Sequence, residues 1–172
     1  MLKVETFIKD LNSSEVGVNF ISIDDSSSSH LAMQTLEEND HDYLEGTICL
    51  EFNAKPILTR DMETTDLLFT WQTLVEPILT SGNKEYEISI LDSLYEVSLL
   101  NTGTGFIFQI TDQLSKNTCN SNEIPKDEYS NVIRNGFLSF GEFILNNKLL
   151  LSDESSYSSF MQDYKVLKRM QL

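Results

Sequence analysis

The sequence predicts an α+β fold: an antiparallel sheet with an amphipathic, Trp-containing helix and C-terminal helices packed on one face. Three observations carry this. Stretches with an apolar residue at every second position occur as neighbours, as strands do. One stretch, TTDLLFTWQTLVEPILTSGN, is apolar at helical spacing. Two more helical patterns follow only after the last strand pattern, and helices segregated from grouped strands indicate α+β rather than alternating α/β.

The elements follow in order. MLKVETFIK places Leu2, Val4, Thr6 and Ile8 on one side of a strand. EVGVNFISID repeats the alternation with Val16, Val18 and Phe20. DDSSSSH reads as a polar linker, and the acidic segment of about 24–42 reads as flexible, with Leu31, Met33 and Leu36 sufficient for one loose helical turn. YLEGTICLEFN is a strand with Ile48, Leu50 and Phe52 on one face, closed by Pro56.

The Trp helix carries Leu67, Leu68, Trp71, Leu74, Val75, Ile78 and Leu79 as a core stripe. Thr64 or Thr65 is its expected cap, Gly82 its stop, and Pro77 a kink in its last turn. YEISI, LYEVSLL and FIFQI are three further strands, the last two joined by a turn at NTGTG. Gly103 and Gly105 there are turn residues, since the phosphate-loop Lys and Ser/Thr are missing and no helix follows. Residues 115–125 read as a polar loop. The helix PKDEYSNVIRNGFLSFGEFI buries Tyr129, Val132, Ile133, Phe137, Phe140, Phe143 and Ile144. Gly136 and Gly141 each cost it about 1 kcal/mol relative to Ala, which points to close packing at those positions. The last helix presents Tyr157, Phe160, Met161, Tyr164 and Leu167, with Lys165, Lys168 and Arg169 near its negative end.

At 172 residues, 40% hydrophobic and 23% charged, the chain (1–172) reads as a single domain able to bury its own core. Its 27 acidic against 12 basic residues leave a formal charge of -15. Such a charge opposes binding to nucleic acid or an anionic membrane and favours attraction to basic proteins. Cys49 and Cys119 lie far apart with no CxxC, and read as reduced thiols. MLKVETFIKD has no long apolar core of a secretory signal, and no apolar run reaches the roughly 18 residues of a membrane span. The expected location is the cytoplasm. Strand edges such as residues 2–9 leave a homodimer open.

Chemistry finds little support. No GxSxG, HExxH or Cys/His arrangement occurs, and the carboxylates are too many to single out an acid–base pair. The reading is therefore no enzyme, with no catalytic residue, cofactor or metal. The residues that call for explanation are in TLEENDHDYLEG, 35–46. Glu38, Asp40 and Asp42 alternate as calcium ligands do, yet the first glycine is Gly46, so the EF-hand spacing fails. Zinc lacks partners for His30 or His41. An exposed acidic contact surface remains, with Glu37, Glu38, Asp40, Asp42 and Glu45 as partner-binding residues and Tyr43 as the aromatic anchor.

Residues 44–145 hold a G-x-I-x-L-x-F strand, then a D-x-L-x-x-W-x-x-L helix, then GTGFIFQI. This order resembles small bacterial immunity-type proteins encoded in polymorphic toxin loci. The resemblance implies that the Trp helix packs on the sheet and that an acidic surface neutralises a toxin domain. It assigns no binding residue by position. The expected function is thus a cytoplasmic toxin inhibitor that sequesters a basic toxin or effector, with a nuclease as one target class. Two alternatives stay open. One is a phage or mobile-element anti-defence protein that mimics nucleic-acid charge; the other is a small-ligand-binding or enzymatic domain using 115–125 over a pocket.

Overall fold

A computed structural model describes residues 1–11, 19–80 and 82–170. Val16 and Val18 lie outside the described residues. The first sheet holds β1 (Leu2–Asp10), β2 (Asn19–Ser22), β3 (Gly46–Phe52) and β4 (Lys55–Leu58) in the order β2-β1-β3-β4. Every pairing in it is antiparallel. Leu2 opposite Phe52, Val4 opposite Leu50 and Thr6 opposite Ile48 put the apolar residues of β1 and β3 on one face.

Pro56 does not close this region of the sheet. Asn53 and Ala54, at φ +51° and +60°, form a tight two-residue hairpin, and Pro56 sits in β4 opposite Glu51. β4 is an edge strand, where a missing N–H is tolerated.

The segment expected as a flexible acidic linker contains α1 (Ser28–Glu38). Leu31, Ala32, Thr35 and Leu36 are buried, so the helix does contribute core, on a stripe one to one and a half turns long. The serines stabilise its entry: Ser28 Oγ donates to the carbonyls of Ile23 and Asp25.

α2 (Leu67–Leu79) is the Trp helix. Its cap is Asp66 rather than Thr64 or Thr65. The Asp66 carboxylate accepts from the N–H groups of Leu68 and Phe69 at 3.0 and 3.2 Å. Thr64 is buried instead, its hydroxyl accepting from Leu91 N–H at 3.1 Å and from Thr70 Oγ1 at 2.9 Å. The helix ends at Leu79 with Thr80 already extended, before Gly82 is reached.

The remaining strands form a second antiparallel sheet where one sheet was expected. β5 (Glu85–Ile88), β6 (Tyr95–Asn101), β7 (Gly105–Asp112) and β8 (Thr118–Asn120) lie in that order, and β9 (Ile124–Pro125) also pairs with β7. Five of residues 115–125, namely 118–120 and 124–125, are thus taken up as pairing partners of β7. Tyr86, Leu99 and Phe108 form one buried cross-strand row and Ile88, Val97 and Ile110 another.

α3 (Lys126–Asn146) packs on β1 of the first sheet, on β7 of the second and on α2, while α4 (Tyr157–Arg169) packs on α2 and α3. Among the described residues, the buried apolar side chains other than Phe7 form one core. Among the described residues no helix is long and apolar enough to cross a membrane. The two α3 glycines are sites of close approach. A Cβ on Gly136 would lie 2.7 Å from both Trp71 Cη2 and Val4 Cγ1, and one on Gly141 would lie 2.5 Å from the Tyr164 ring.

Two stability changes follow. Gly136→Ala gains about 1 kcal/mol of helix propensity but forces Trp71 or Val4 to move, at about 1–3 kcal/mol. The expected net result is a lower urea midpoint; a raised midpoint would mean Trp71 yields freely. Ala54→Gly places at φ +60° the residue that conformation favours. Stability should rise by about 0.5–1 kcal/mol in equilibrium unfolding, and no gain would show that the Ala54 conformation carries no strain.

Candidate functional site

The acidic stretch begins on the last turn of α1 and ends where β3 starts. Glu37 and Glu38 lie on the helix and Asn39 is its C-cap. Asp40 and His41 follow in the left-handed region, at φ +53° and +65°. The His41 N–H bonds back to the Leu36 carbonyl at 2.8 Å. These two residues reverse the chain and deliver Leu44 to the core and Gly46 to β3.

The six expected contact residues divide into two groups. Glu37, Glu38 and Asp40 are exposed, and none has a side-chain hydrogen bond or ion pair among the described residues. Tyr43 is 38% exposed. Asp42 and Glu45 are held in internal contacts. Asp42 accepts from Ser152 Oγ at 2.5 Å, and Ser152 N–H donates to the His41 carbonyl at 2.8 Å. His41 Nδ1 lies 3.0 Å from the Leu150 carbonyl, which can only accept, so the Nδ1 proton points there. The stretch is therefore tied to the α3–α4 connection. Glu45 accepts from Asn39 Nδ2 at 3.2 Å and pairs with Lys9 at 3.3 Å; Lys9 also reaches Glu63 at 3.3 Å. Burial opposes the Lys9 charge, but hydrogen bonds and attraction from Glu63 and Glu45 outweigh it and hold the ammonium above its usual value.

Among the described residues no group of three or more His, Cys, Asp or Glu side chains is placed to hold a metal ion. Cys49 is half-buried on β3 and Cys119 exposed on β8, in different sheets, and both are free. Cys49 borders a cleft of about 820 Å³ together with Glu5, Glu51 and Arg60. Burial pushes its thiol up, Arg60 only partly opposing this, so a thiolate nucleophile is disfavoured at neutral pH.

A second acidic surface lies on the solvent face of the second sheet. Glu85 and Glu87 on β5 and Glu96 on β6 point away from the buried rows and are exposed. Ser98 and Gln109 continue the Glu87 row across the sheet. These residues line a concavity of about 770 Å³. A neighbouring groove of about 470 Å³ runs between α2 and β5, with Phe69 and Leu79 beside Glu76, Glu87 and Asp163. The alternation of EYEISI, residues 85–90, shows that Glu85 and Glu87 share a face. That Glu96 joins them depends on the β5–β6 register, which the sequence does not display.

Comparison with known proteins adds no relative: no family model, no curated protein and no solved structure matches this chain.

Asp66 links this region to α4. Its Oδ2 accepts from Ser156 Oγ at 2.8 Å while Oδ1 caps α2. Burial raises its carboxyl above the ordinary value, and the hydrogen bonds from Ser156, Phe69 and Leu68 only partly offset this. A raised folded-state value means that the native protein binds more protons than the unfolded chain. The contribution is fully present below the ordinary Asp value and is lost as pH rises through the raised one. Asp66→Asn retains the cap and removes the proton. The wild type should lose stability relative to Asp66→Asn as pH rises through the acid range, as read from thermal midpoints. A constant difference would show that the carboxyl is not perturbed.

Proposed function

We propose that this chain is an acidic binding protein of the immunity type, which sequesters a basic toxin or effector domain by surface contact and performs no chemistry of its own. The observation that carries this reading is the set of open carboxylates Glu37, Glu38 and Asp40. They stand beside exposed Tyr43 on a segment anchored through Asp42, His41 and Glu45. An acidic edge held in place from both sides loses little freedom on binding. The formal charge of -15 supports it, since it accelerates encounter with a cationic partner and repels polyanions. The likeness of residues 44–145 to immunity-type proteins points the same way. A nuclease domain suits the role of target because holding phosphates demands positive charge.

The test is capture of partners from the source cell at low salt, followed by association kinetics with the purified partner. Charges at the rim of an interface act mainly on the association rate. Glu37→Gln, Glu38→Gln and Asp40→Asn together should slow association by about threefold, with dissociation nearly unchanged and the salt dependence reduced. A partner that is itself acidic, or binding indifferent to salt, would sink this reading.

A further inference from the structure

We propose that the solvent face of the second sheet, with the groove between α2 and β5, seats a basic amphipathic helix of a protein partner. This rests on the reading above that the partner is a basic protein. It assigns the holding surface to a place other than the stretch 35–46.

The charge on this face is one-sided. Among the described residues that line the two adjoining concavities there are five carboxylates, Glu76, Glu85, Glu87, Glu96 and Asp163, and no lysine or arginine. Glu87 lies opposite Ser98, so Glu96, two residues before Ser98 on the same face, is its diagonal neighbour at roughly 7–8 Å. Glu85 and Glu87 stand two apart on one side of β5. None of the three glutamates is in an ion pair among the described residues. The three carboxylates give this face a field of one sign, to which cations seated there would be attracted.

The groove beside α2 is apolar as well as acidic, whereas the sheet concavity is lined mainly by polar side chains. Phe69 and Leu91 are 38% and 37% exposed, and both flank Ser89. On the outward side of β6 and β7, Leu100 and Ile107 form a half-buried aliphatic pair beside Glu85. An apolar groove at Phe69 and Leu79, edged by Glu76, Glu87 and Asp163 and continued by the polar, acidic sheet face of Glu85, Glu96, Ser98 and Gln109, is the complement of an amphipathic helix that bears lysine or arginine around an aliphatic stripe.

An added β-strand is the other means of binding beside β5, and α2 obstructs it. The Ser89 carbonyl accepts from Thr70 Oγ1 at 2.8 Å, and the Ser89 N–H donates to Thr73 Oγ1 at 3.2 Å. The backbone groups just beyond β5 are already taken. A second copy of this chain or a nucleic acid would bring more negative charge to the same face.

The experiment titrates the full chain with a synthetic amphipathic helix of lysine and leucine at low salt, by calorimetry and by amide shift mapping. The expected perturbations centre on residues 85–98 and Phe69. Glu85→Gln/Glu87→Gln/Glu96→Gln should weaken binding by at least about tenfold, and Phe69→Ser by a similar factor. The charge-matched Glu37→Gln/Glu38→Gln/Asp40→Asn should weaken it by no more than about threefold. Retained amide dispersion confirms that each variant is folded. Equal losses for the two triple variants would mean that only net charge matters and would overturn the proposal. Binding that survives the sheet triple overturns the proposal but leaves the basic-partner reading standing. No binding by the unaltered chain overturns both.

Discussion

The architecture depends on one contact, the indole of Trp71 against the bare backbone of Gly136. Each sheet has one apolar face, and neither sheet alone can cover it. α3 touches both sheets, so its approach sets their common core. That approach is limited by the bulk of Trp71, which is fully buried and stacks with Phe140 at 6.4 Å and meets Phe137 edge-on at 6.2 Å. Phe160 of α4 closes the group, 4.4 Å from Phe137 and 5.7 Å from Phe140. Glycine lets the helix come near enough for these rings to meet. The Trp71 Nε1–H has no partner among the described residues, which costs roughly 1–3 kcal/mol. The volume of the ring in the middle of the core outweighs that loss.

Polar contacts then fix how the helices sit. Tyr129 Oη donates to the Leu74 carbonyl at 2.8 Å inside the core, joining α3 to the C-terminal half of α2. Arg134 donates from Nε to the Leu167 carbonyl and from Nη2 to the Met170 carbonyl, at 2.8 and 2.9 Å. It satisfies the open end of α4 from a neighbouring helix, reinforcing the favourable position of Lys168 and Arg169 in the last turn. Asp66 does the same at the other end of α2, capping it while holding Ser156 just before α4.

The periodic elements were legible because burial writes them directly. The stripe of α2, the apolar side of β3 and the two α3 glycines all follow from which residues must face inward. What escaped the sequence was decided by tertiary neighbours. α1 has only four core positions and a serine-rich entry, so composition alone reads it as a linker; the sheet behind it makes it a helix. Asp66 rather than Thr64 caps α2 because the chain is bridged to Gly46 at Thr64, with backbone bonds of 2.8 and 3.0 Å. The division into two sheets was hidden for a similar reason: period two locates strands but not their partners.

Charge follows the same logic. The acids at 37–45 are conspicuous because they are adjacent in the chain, yet adjacency is a poor guide to availability. Asp42 and Glu45 are turned to internal use, and Lys9 serves both Glu45 and Glu63. Glu45, Glu51, Glu63, Glu128 and Glu142 are carboxylates held in ion pairs, and none of these five is on the outward face of the second sheet. That face gathers Glu85, Glu87 and Glu96 from two strands, so its charge exists only once the register is set. A sheet that needed only solvation there would be more stable with an alternation of signs. No lysine or arginine lies among the described residues lining it, so its field is of one sign. On the proposed reading, the acids at the end of α1 would extend a field that speeds encounter, and close packing over Phe69 and Leu91 would slow departure. Under that proposal association and retention would rest on different surfaces and could change independently of each other.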